Sequence, residues 1–298
     1  MPRVFVYIIH KGGLPDESAA ELAAAAQKID AGGSPAALVT GWGAELDSVC
    51  DALGHSYPEV WKIANEALAY PNAEQVRKAL IQVVPAGSIV LVPHEHFGID
   101  LAPGLSIKLN AAFVSDVGGI EAVDGAALRV VRQEFGGQVS THVRCDISSG
   151  AVVTLRPGAF KPAETASISG CVIDKSGELG SLAAGRRYLE TVVAESGDVD
   201  ITKHSTLVSI GRGIQDKDNV AIAEELAEVL GAAVSCSRPV VDAKWLEKSR
   251  QVGSSGKTVK PKVYLACGIS GSFQHLAGIK GNPFIVAINK NPKAPIFQ

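Results

Sequence analysis

No C-x-x-C pair occurs in this chain, and its five cysteines (Cys50, Cys145, Cys171, Cys236 and Cys267) are odd in number and widely spaced. That pattern argues against both a disulfide framework and a zinc or iron–sulfur site, and it fits a reducing, cytoplasmic setting. Charge of one sign is not blocked anywhere: 28 Lys and Arg face 31 Asp and Glu, for a formal net charge of −3. Without a general basic field, nucleic acid is a poor partner. No apolar run reaches the length of a membrane span, and the apolar part of Met1-Pro-Arg-Val-Phe-Val-Tyr-Ile-Ile-His10 is too short for a signal peptide. It reads as a first strand. Fixed-period repeats and low-complexity blocks are missing too, since the alanine-dense stretch 19–26 is simply a strong helix former. No Ser–His–Asp set, Walker loop or paired-carboxylate site can be assembled from spacing, so no catalytic residue is assigned. His94 and His96 follow a strand at i and i+2 with no further ligand nearby, which suits a loop or helix cap better than a metal.

What is present is the material of two globular domains: 298 residues, 46% of them hydrophobic. Short β-branched runs at 3–10, 36–40, 60–64 and 88–93 alternate with helical patterns at 17–31, 45–53, 73–84 and 101–110, followed by a strand at 112–116. Such alternation predicts a mostly parallel sheet covered by helices. After Gly119, strand-like runs at 127–135, 138–145 and 151–155 are separated by Gly-Gly, Ser-Ser-Gly and Pro-Gly turns, and these predict an antiparallel extension. The polar stretch Glu195-Ser-Gly-Asp-Val-Asp200 reads as the boundary, giving domains 1–200 and 201–298. Beyond it a strand at 205–210 runs into Gly211-Arg-Gly213, and Asp218 is expected to cap a helix at 219–230 that Gly231 stops. Strand, glycine turn and helix form a nucleotide-binding unit.

Three loops within forty residues carry the chemistry: Ser235-Cys-Ser-Arg-Pro-Val-Val-Asp242, Arg250-Gln-Val-Gly-Ser-Ser-Gly-Lys257 and Ala266-Cys-Gly-Ile-Ser-Gly-Ser-Phe-Gln-His275. Glycine- and hydroxyl-rich loops at helix starts offer backbone N–H groups to a polyanion, and the third directly follows the apolar run at 263–266. Arg238, Ser255 and His275 can then surround one polar ring. Taken singly, an arginine can be a surface ion pair, a glycine turn can be solvent-exposed, and a histidine at a helix start can be a cap. Cys236 and Cys267 flank the loops, where buried, inert thiols are commoner than redox-active ones.

The order of these loops, closed by Ile285-Val-Ala-Ile-Asn-Lys-Asn-Pro-Lys-Ala-Pro-Ile-Phe297, resembles the α subunit of the electron transfer flavoproteins, the FixB family. Asp100-Leu-Ala-Pro103, Val114-Ser-Asp116 and Thr154-Leu-Arg-Pro-Gly-Ala-Phe160 match the family's N-terminal domain, so the resemblance spans nearly the whole chain. It implies an α/β fold of two domains, the second a Rossmann-like (DHS-like) FAD-binding domain. It also implies one FAD held by Arg212, Ser237, Arg238, Gln251, Val252, Gly253, Ser254, Ser255, Gly268, Ser270, Gly271, Gln274, His275, Asn289 and Lys290. In that shell Arg238 faces the flavin and favours its reduced, anionic states, and Ser255 stands where the family usually has a threonine donating to flavin N5. His275 approaches the O2 carbonyl, and Ser270 and Gln274 lie near the ribityl–phosphate chain. Asp242 orients its loop, while Arg212, Asn289 and Lys290 serve the adenosine side. The stretch 268–275 is expected to open a helix toward the pyrophosphate. Ile210 replaces a glycine usual in the family. The chain also ends before the short acidic loop and covering helix found in similar α subunits, so the second domain reads as lacking its last loop and helix.

The resemblance further implies a heterodimer with a β subunit that carries AMP or a second FAD. Electrons would come from an acyl-CoA dehydrogenase or related flavin dehydrogenase and pass to a quinone oxidoreductase. Two other functions fit parts of this reading. One is an electron-bifurcating, NADH-dependent complex that passes electrons to ferredoxin. The other, of a different class, is an NAD-dependent deacylase-like enzyme, whose cofactor domain is similar but which needs a catalytic histidine and an acyl-lysine groove. A structural subunit without flavin is the remaining possibility.

Overall fold

The computed structural model describes residues 2–135, 139–162, 168–190 and 199–297. Residue 138, the expected start of the second extension strand, and residues 195–198 of the expected boundary stretch lie outside them. The chain divides into two compact units, Met1–Leu189 and Glu190–Gln298.

In the first unit the order is β1 (Val4–Tyr7), the two-residue strands β2 (His10–Lys11) and β3 (Leu14–Pro15), α1 (Ser18–Ile29), β4 (Ala36–Gly41), α2 (Ala44–Leu53) and β5 (Glu59–Ala64). There follow α3 (Ala73–Val83), β6 (Ile89–Pro93), α4 (His96–Leu109), β7 (Ala112–Asp124), β8 (Ala127–Glu134), β9 (Val139–Asp146), β10 (Ala151–Leu155) and β11 (Cys171–Asp174). Nine strands form one sheet in the order β11-β5-β4-β1-β6-β10-β7-β8-β9. All neighbours from β11 to β7 pair in parallel, and β7, β8 and β9 pair antiparallel. Helices cover both faces of the parallel part. Val4, Val6 and Ile8 pack with Leu22, Ala26, Leu46 and Val49 of α1 and α2, while Phe5 and Tyr7 pack with Val76, Leu80, Leu101 and Leu105 of α3 and α4. Because both faces are covered, β1, β4, β6 and β10 are buried throughout and almost wholly apolar, with Thr40 and Thr154 the exceptions, and each fully buried Val or Leu is worth roughly 1.5–3 kcal/mol.

Four elements differ from expectation. The first strand ends at Tyr7 because Gly12 and Gly13, at φ +59° and +75°, turn the chain into the β2–β3 hairpin. Helix α4 begins at His96, well before 101, since the Ile99 N–H already closes on the Glu95 carbonyl at 2.8 Å; Pro103 therefore lies mid-helix. Strand β7 runs on to Asp124, with an irregular register against β10 beside Asp116, a residue held at φ +56°. Strand β11 is too short and too polar to stand out as a pattern.

The crevice at the carboxyl ends of β6 and β10, where such sheets often take ligands, is filled. Phe160 from the following loop is buried in the core, and Glu21 accepts the Gly158 N–H at 2.6 Å. A cavity of about 10 Å³ remains between Ser18, Glu21, Pro93 and Arg156, the scale of one water molecule.

The second unit contains β12 (Thr206–Ile210), α5 (Val220–Val229), β13 (Ala233–Cys236), α6 (Arg238–Asp242), β14 (Val263–Cys267), α7 (Phe273–Leu276) and β15 (Phe284–Ile288). Its parallel sheet has the order β13-β12-β14-β15. Helix α5 covers one face through Val220, Ala223 and Ala227, and loop residues Val252, Val259 and Ile269 cover the other. Asp218 does not cap α5. Gln215 at φ +76° and an Asp216 side chain that accepts the Asp218 N–H at 3.1 Å insert one extra turn, so α5 starts at Val220. Gly231, at φ +60°, ends that helix as expected.

Candidate functional site

The strands of the second unit are all parallel, so their carboxyl ends share one edge. The first and third loops leave β13 and β14 there, and a Cys236–Gln251 bridge brings the second to the same edge. They enclose a cleft of about 380 Å³ lined by Ser237, Arg238, Pro239, Asp242, Gln251, Val252, Gly253, Ser254, Ser255, Ile269, Ser270, Ser272, Gln274 and His275. That volume lies within the range of small-ligand sites. A second groove, at the amino ends of β12 and β13, mixes Asp200, Glu224 and Glu228 with Lys203 and Arg250 and offers no convergent donor set.

Ten of the sequence-predicted site residues therefore meet around one cleft: Ser237, Arg238, Gln251, Val252, Gly253, Ser254, Ser255, Ser270, Gln274 and His275. Ser237 precedes the single turn of α6, its N–H bonded to the Ile210 carbonyl at 3.0 Å. Arg238 opens that turn with Pro239 behind it. Its side chain is 68% exposed and its Nε stands 3.5 Å from Asp242 Oδ2, so the guanidinium is available at the rim beside the Asp242 carboxylate, which itself lines the cleft.

The second loop is held by its own backbone. Val252 N–H donates to Cys236 O at 2.8 Å, Lys257 N–H to Gln251 O at 2.7 Å, and Ser254 N–H to Gln274 O at 2.7 Å. A Cβ on Gly253 would stand 2.8 Å from that same Gln274 carbonyl, so glycine is what lets the second and third loops touch. Gln251 is buried and donates from Nε2 to Ser255 Oγ at 2.9 Å. Because Ser255 accepts that bond, its hydroxyl proton remains to be donated elsewhere. Gln251 thus acts on the cleft through Ser255.

In the third loop Gly268 and Gly271, at φ +68° and +78°, keep the chain out of helical geometry until Ser272. The expected helix opening at 268 is accordingly delayed: α7 spans only Phe273–Leu276, too short to carry much of a dipole. The loop's free N–H groups and hydroxyls must take that role. Gly268 and Gly271 do not line the cleft; Gly268 packs against the Gly213 backbone and Gly271 against Ile296. Gly213 N–H donates to Gly268 O at 3.1 Å, and Gly211 N–H donates to Cys267 O at 2.8 Å. Arg212 and Lys290 are exposed and do not line the cleft. Asn289 lies outside it too, its amide donating to Ile269 O at 2.8 Å and accepting the Asn291 N–H at 2.9 Å.

His275 is 5% exposed. Burial lowers its pKa to about 4, so the ring is neutral at physiological pH. Its Nε2 lies 2.9 Å from the Tyr264 hydroxyl, which donates to Ser209 Oγ at 2.7 Å, and its buried Nδ1 has no hydrogen-bond partner. Sequence reasoning missed Tyr264 and Ser209. The one available signal was a polar Ser209 inside the apolar run of β12, paired in register with Ser235. Cys236 is inert: burial pushes its thiol pKa up to about 12, and burial raises that of Cys267 as well.

Elsewhere, His94 Nδ1 lies 2.9 Å from Thr154 Oγ1 and its Nε2 3.9 Å from Asp116, and His96 opens α4. Among the described residues no group of three or more His, Cys, Asp or Glu side chains is placed to hold a metal, and no helix is long and apolar enough to cross a membrane.

A parallel α/β unit whose strand ends converge on a donor-rich cleft defines a nucleotide-cofactor-binding protein. Comparison with known proteins narrows this. Residues 4–176 match the electron transfer flavoprotein domain, and residues 200–280 match the electron transfer flavoprotein FAD-binding domain. The chain is 36% identical over 242 residues to an electron transfer flavoprotein subunit alpha from Thermoanaerobacterium thermosaccharolyticum, covering 80% of this chain and 73% of that one. It is 34% identical over 300 residues to the corresponding subunit from Methylophilus methylotrophus, covering 100% and 92%. To protein FixB of Escherichia coli O127:H6 it is 39% identical over 249 residues, covering 80% and 76%. The chain belongs to the electron transfer flavoprotein α-subunit family.

The cleft fits a flavin nucleotide. It holds a rim guanidinium, a serine with a proton to donate and a buried imidazole with an unpartnered nitrogen, which together suit the polar edge of a planar heterocycle.

Proposed function

We propose that this chain is the FAD-binding subunit of a heterodimeric electron carrier. In this reading it accepts electrons from an acyl-CoA dehydrogenase-type flavoenzyme and passes them to a quinone-linked acceptor. The observation that carries the reading is the convergence of Arg238, Ser255 and His275, from three separate loops, on one cleft. FAD, when bound, supplies the electron-accepting and electron-donating chemistry. The chain's own residues bind it, orient it and set the electrostatic field around it. Arg238 places a permanent positive charge at the rim, which favours the negatively charged, reduced cofactor over the oxidised one. Ser255, oriented by Gln251, presents a hydrogen-bond donor, and Ser270 and Gln274 supply polar groups along the cleft. Gly268 lets the third loop pack on the Gly213 backbone, and Arg212, Asn289 and Lys290 stand outside the cleft, where the adenosine half would extend.

The N-terminal unit is assigned the contact with a β subunit, which would hold AMP in a simple carrier. A deacylase needs a histidine base open to substrate. In His275 one nitrogen is engaged by Tyr264 and the other is buried, which supports the carrier instead. Co-expressing the chain with its β subunit and counting nucleotides released per heterodimer tests the reading. One FAD with one AMP supports the simple carrier, and two FADs would indicate electron bifurcation, with NADH and ferredoxin as the next reagents. No FAD in this subunit would overturn the assignment.

A further inference from the structure

The backbone of the third loop is pinned from outside the cleft. Gly268 N–H donates to Ile288 O at 2.8 Å, the Asn289 side-chain amide donates to Ile269 O at 2.8 Å, and Ile296 N–H donates to Ser270 O at 3.1 Å. Asn289 and Ile296 belong to one segment that holds its own shape. Asn289 Oδ1 accepts the Asn291 N–H at 2.9 Å, Asn291 Oδ1 accepts the Lys293 N–H at 3.0 Å, and Ala294 is buried. Ile296 packs against the apolar cluster that contains Val252, Tyr264 and Ile269. Neither Asn289 nor Ile296 lines the cleft, whereas Ile269 and Ser270 do.

In a planar trans peptide the C=O of one residue and the N–H of the next point in opposite directions. With the Ile269 and Ser270 carbonyls turned out to the 289–296 segment, the Ser270 and Gly271 N–H groups turn the other way, and among the described residues neither has a hydrogen-bond partner. We propose that Asn289 and Ile296 are positioning residues for the third loop: by holding the Ile269 and Ser270 carbonyls they aim two consecutive N–H groups at the cleft, where these can donate to an anionic oxygen of the ligand. Gly271 permits the contact, since at its φ of +78° a Cβ would run into the Ile296 backbone. Asn289 thus acts through the Ile269 carbonyl on the part of the ligand that lies against the third loop. The identity of that ligand rests on the FAD reading above, but the bracing of the loop does not.

FMN tests this, because it carries a phosphate and no adenosine. Dissociation constants of FAD and FMN are measured for the full chain in its native complex, freed of nucleotide, with and without Asn289→Ser. Serine is uncharged and its hydroxyl can still accept the Asn291 N–H, but it is too short to reach the Ile269 carbonyl. FMN and FAD are expected to weaken alike, by about fivefold, the value of one neutral hydrogen bond. A variant that was merely less stable would bind fewer equivalents at an unchanged dissociation constant. Ile296→Pro, which deletes the second donor, is expected to act in the same way and serves if Asn289→Ser does not fold. FMN binding that is unchanged in a folded variant overturns the proposal, and a loss confined to FAD would make Asn289 a direct ligand of the adenosine half instead. An unmodified protein that does not bind FMN at all also overturns it, since the N–H pair is then no phosphate site. FMN uptake that the variants weaken, without any uptake of FAD, would sink the FAD reading alone.

Discussion

In the FAD reading proposed above, Arg238 is a side chain that matters for function and hardly at all for folding. Its pairing with Asp242 is solvent-exposed at both ends, so it contributes little stability. Arg238→Ala is therefore expected to lower the reduction potential of bound flavin while leaving the thermal transition within about 0.5 kcal/mol of the parent. A redox titration that does not move would refute its placement at the rim. His275 behaves oppositely. Its folded pKa of about 4 lies below the ordinary histidine value near 6.5, so the unfolded chain binds the proton more readily across that interval. Its stabilisation is complete above about pH 6.5 and drains away as pH falls toward about 4, by up to roughly 3 kcal/mol. Denaturant titrations of wild type and His275→Gln over that range should show the shallower slope in the variant. At this scale the meeting of Arg238 and Ser255 at one cleft was legible, because the order of their loops resembles that of one family. Tyr264 and Ser209 were not, because in one dimension they are unremarkable members of two strands, and their partnership exists only through the β12–β14 register.

Among elements, the loops depend on glycines for space more than for flexibility. A Cβ on Gly268 would lie 2.7 Å from Gly213 and 2.8 Å from the Ile214 nitrogen, at a φ of +68° that non-glycine residues avoid. Gly268→Ala is expected to cost about 2–4 kcal/mol, from left-handed strain and overpacking together. Calorimetry that shows an unshifted second-unit transition would contradict that close approach. Elements were readable wherever burial on both sheet faces wrote a continuous apolar run, as in β4, β6 and β10. They were misread where local hydrogen bonding overrode the pattern. Asp216 capturing the Asp218 N–H displaces the start of α5, and the positive φ of Gly271 delays α7. Helix α4 passes through Pro103 because Leu101, Ala102 and Leu105 are buried against the sheet, a tertiary gain that outweighs the lost hydrogen bond.

For the whole molecule, ligand linkage should separate the two units. FAD at a hundredfold excess over its dissociation constant stabilises the unit that binds it by about 2.7 kcal/mol. Added FAD is thus expected to raise the transition of the second unit and leave that of the first, whose strand-end crevice is closed by Phe160 and Glu21. A shift confined to the first unit would relocate the site. The expected boundary rested on the polar stretch 195–200, while the compact units divide between Leu189 and Glu190. The plugged crevice was not legible, since nothing in the wording of the 156–160 loop shows that Phe160 points inward.

The close approach of the loops after β12 and β14 has one more implication. Gly211 and Gly213 touch the segment around Gly268 backbone to backbone, joined by hydrogen bonds of 2.8 and 3.1 Å, so the loops leaving β12 and β14 behave as one rigid piece. An electron reaching a cofactor held there would find surroundings that shift few nuclei in response. Small reorganisation lets an electron hop in both directions with little driving force, a property suited to a protein that loads from one partner and discharges to another.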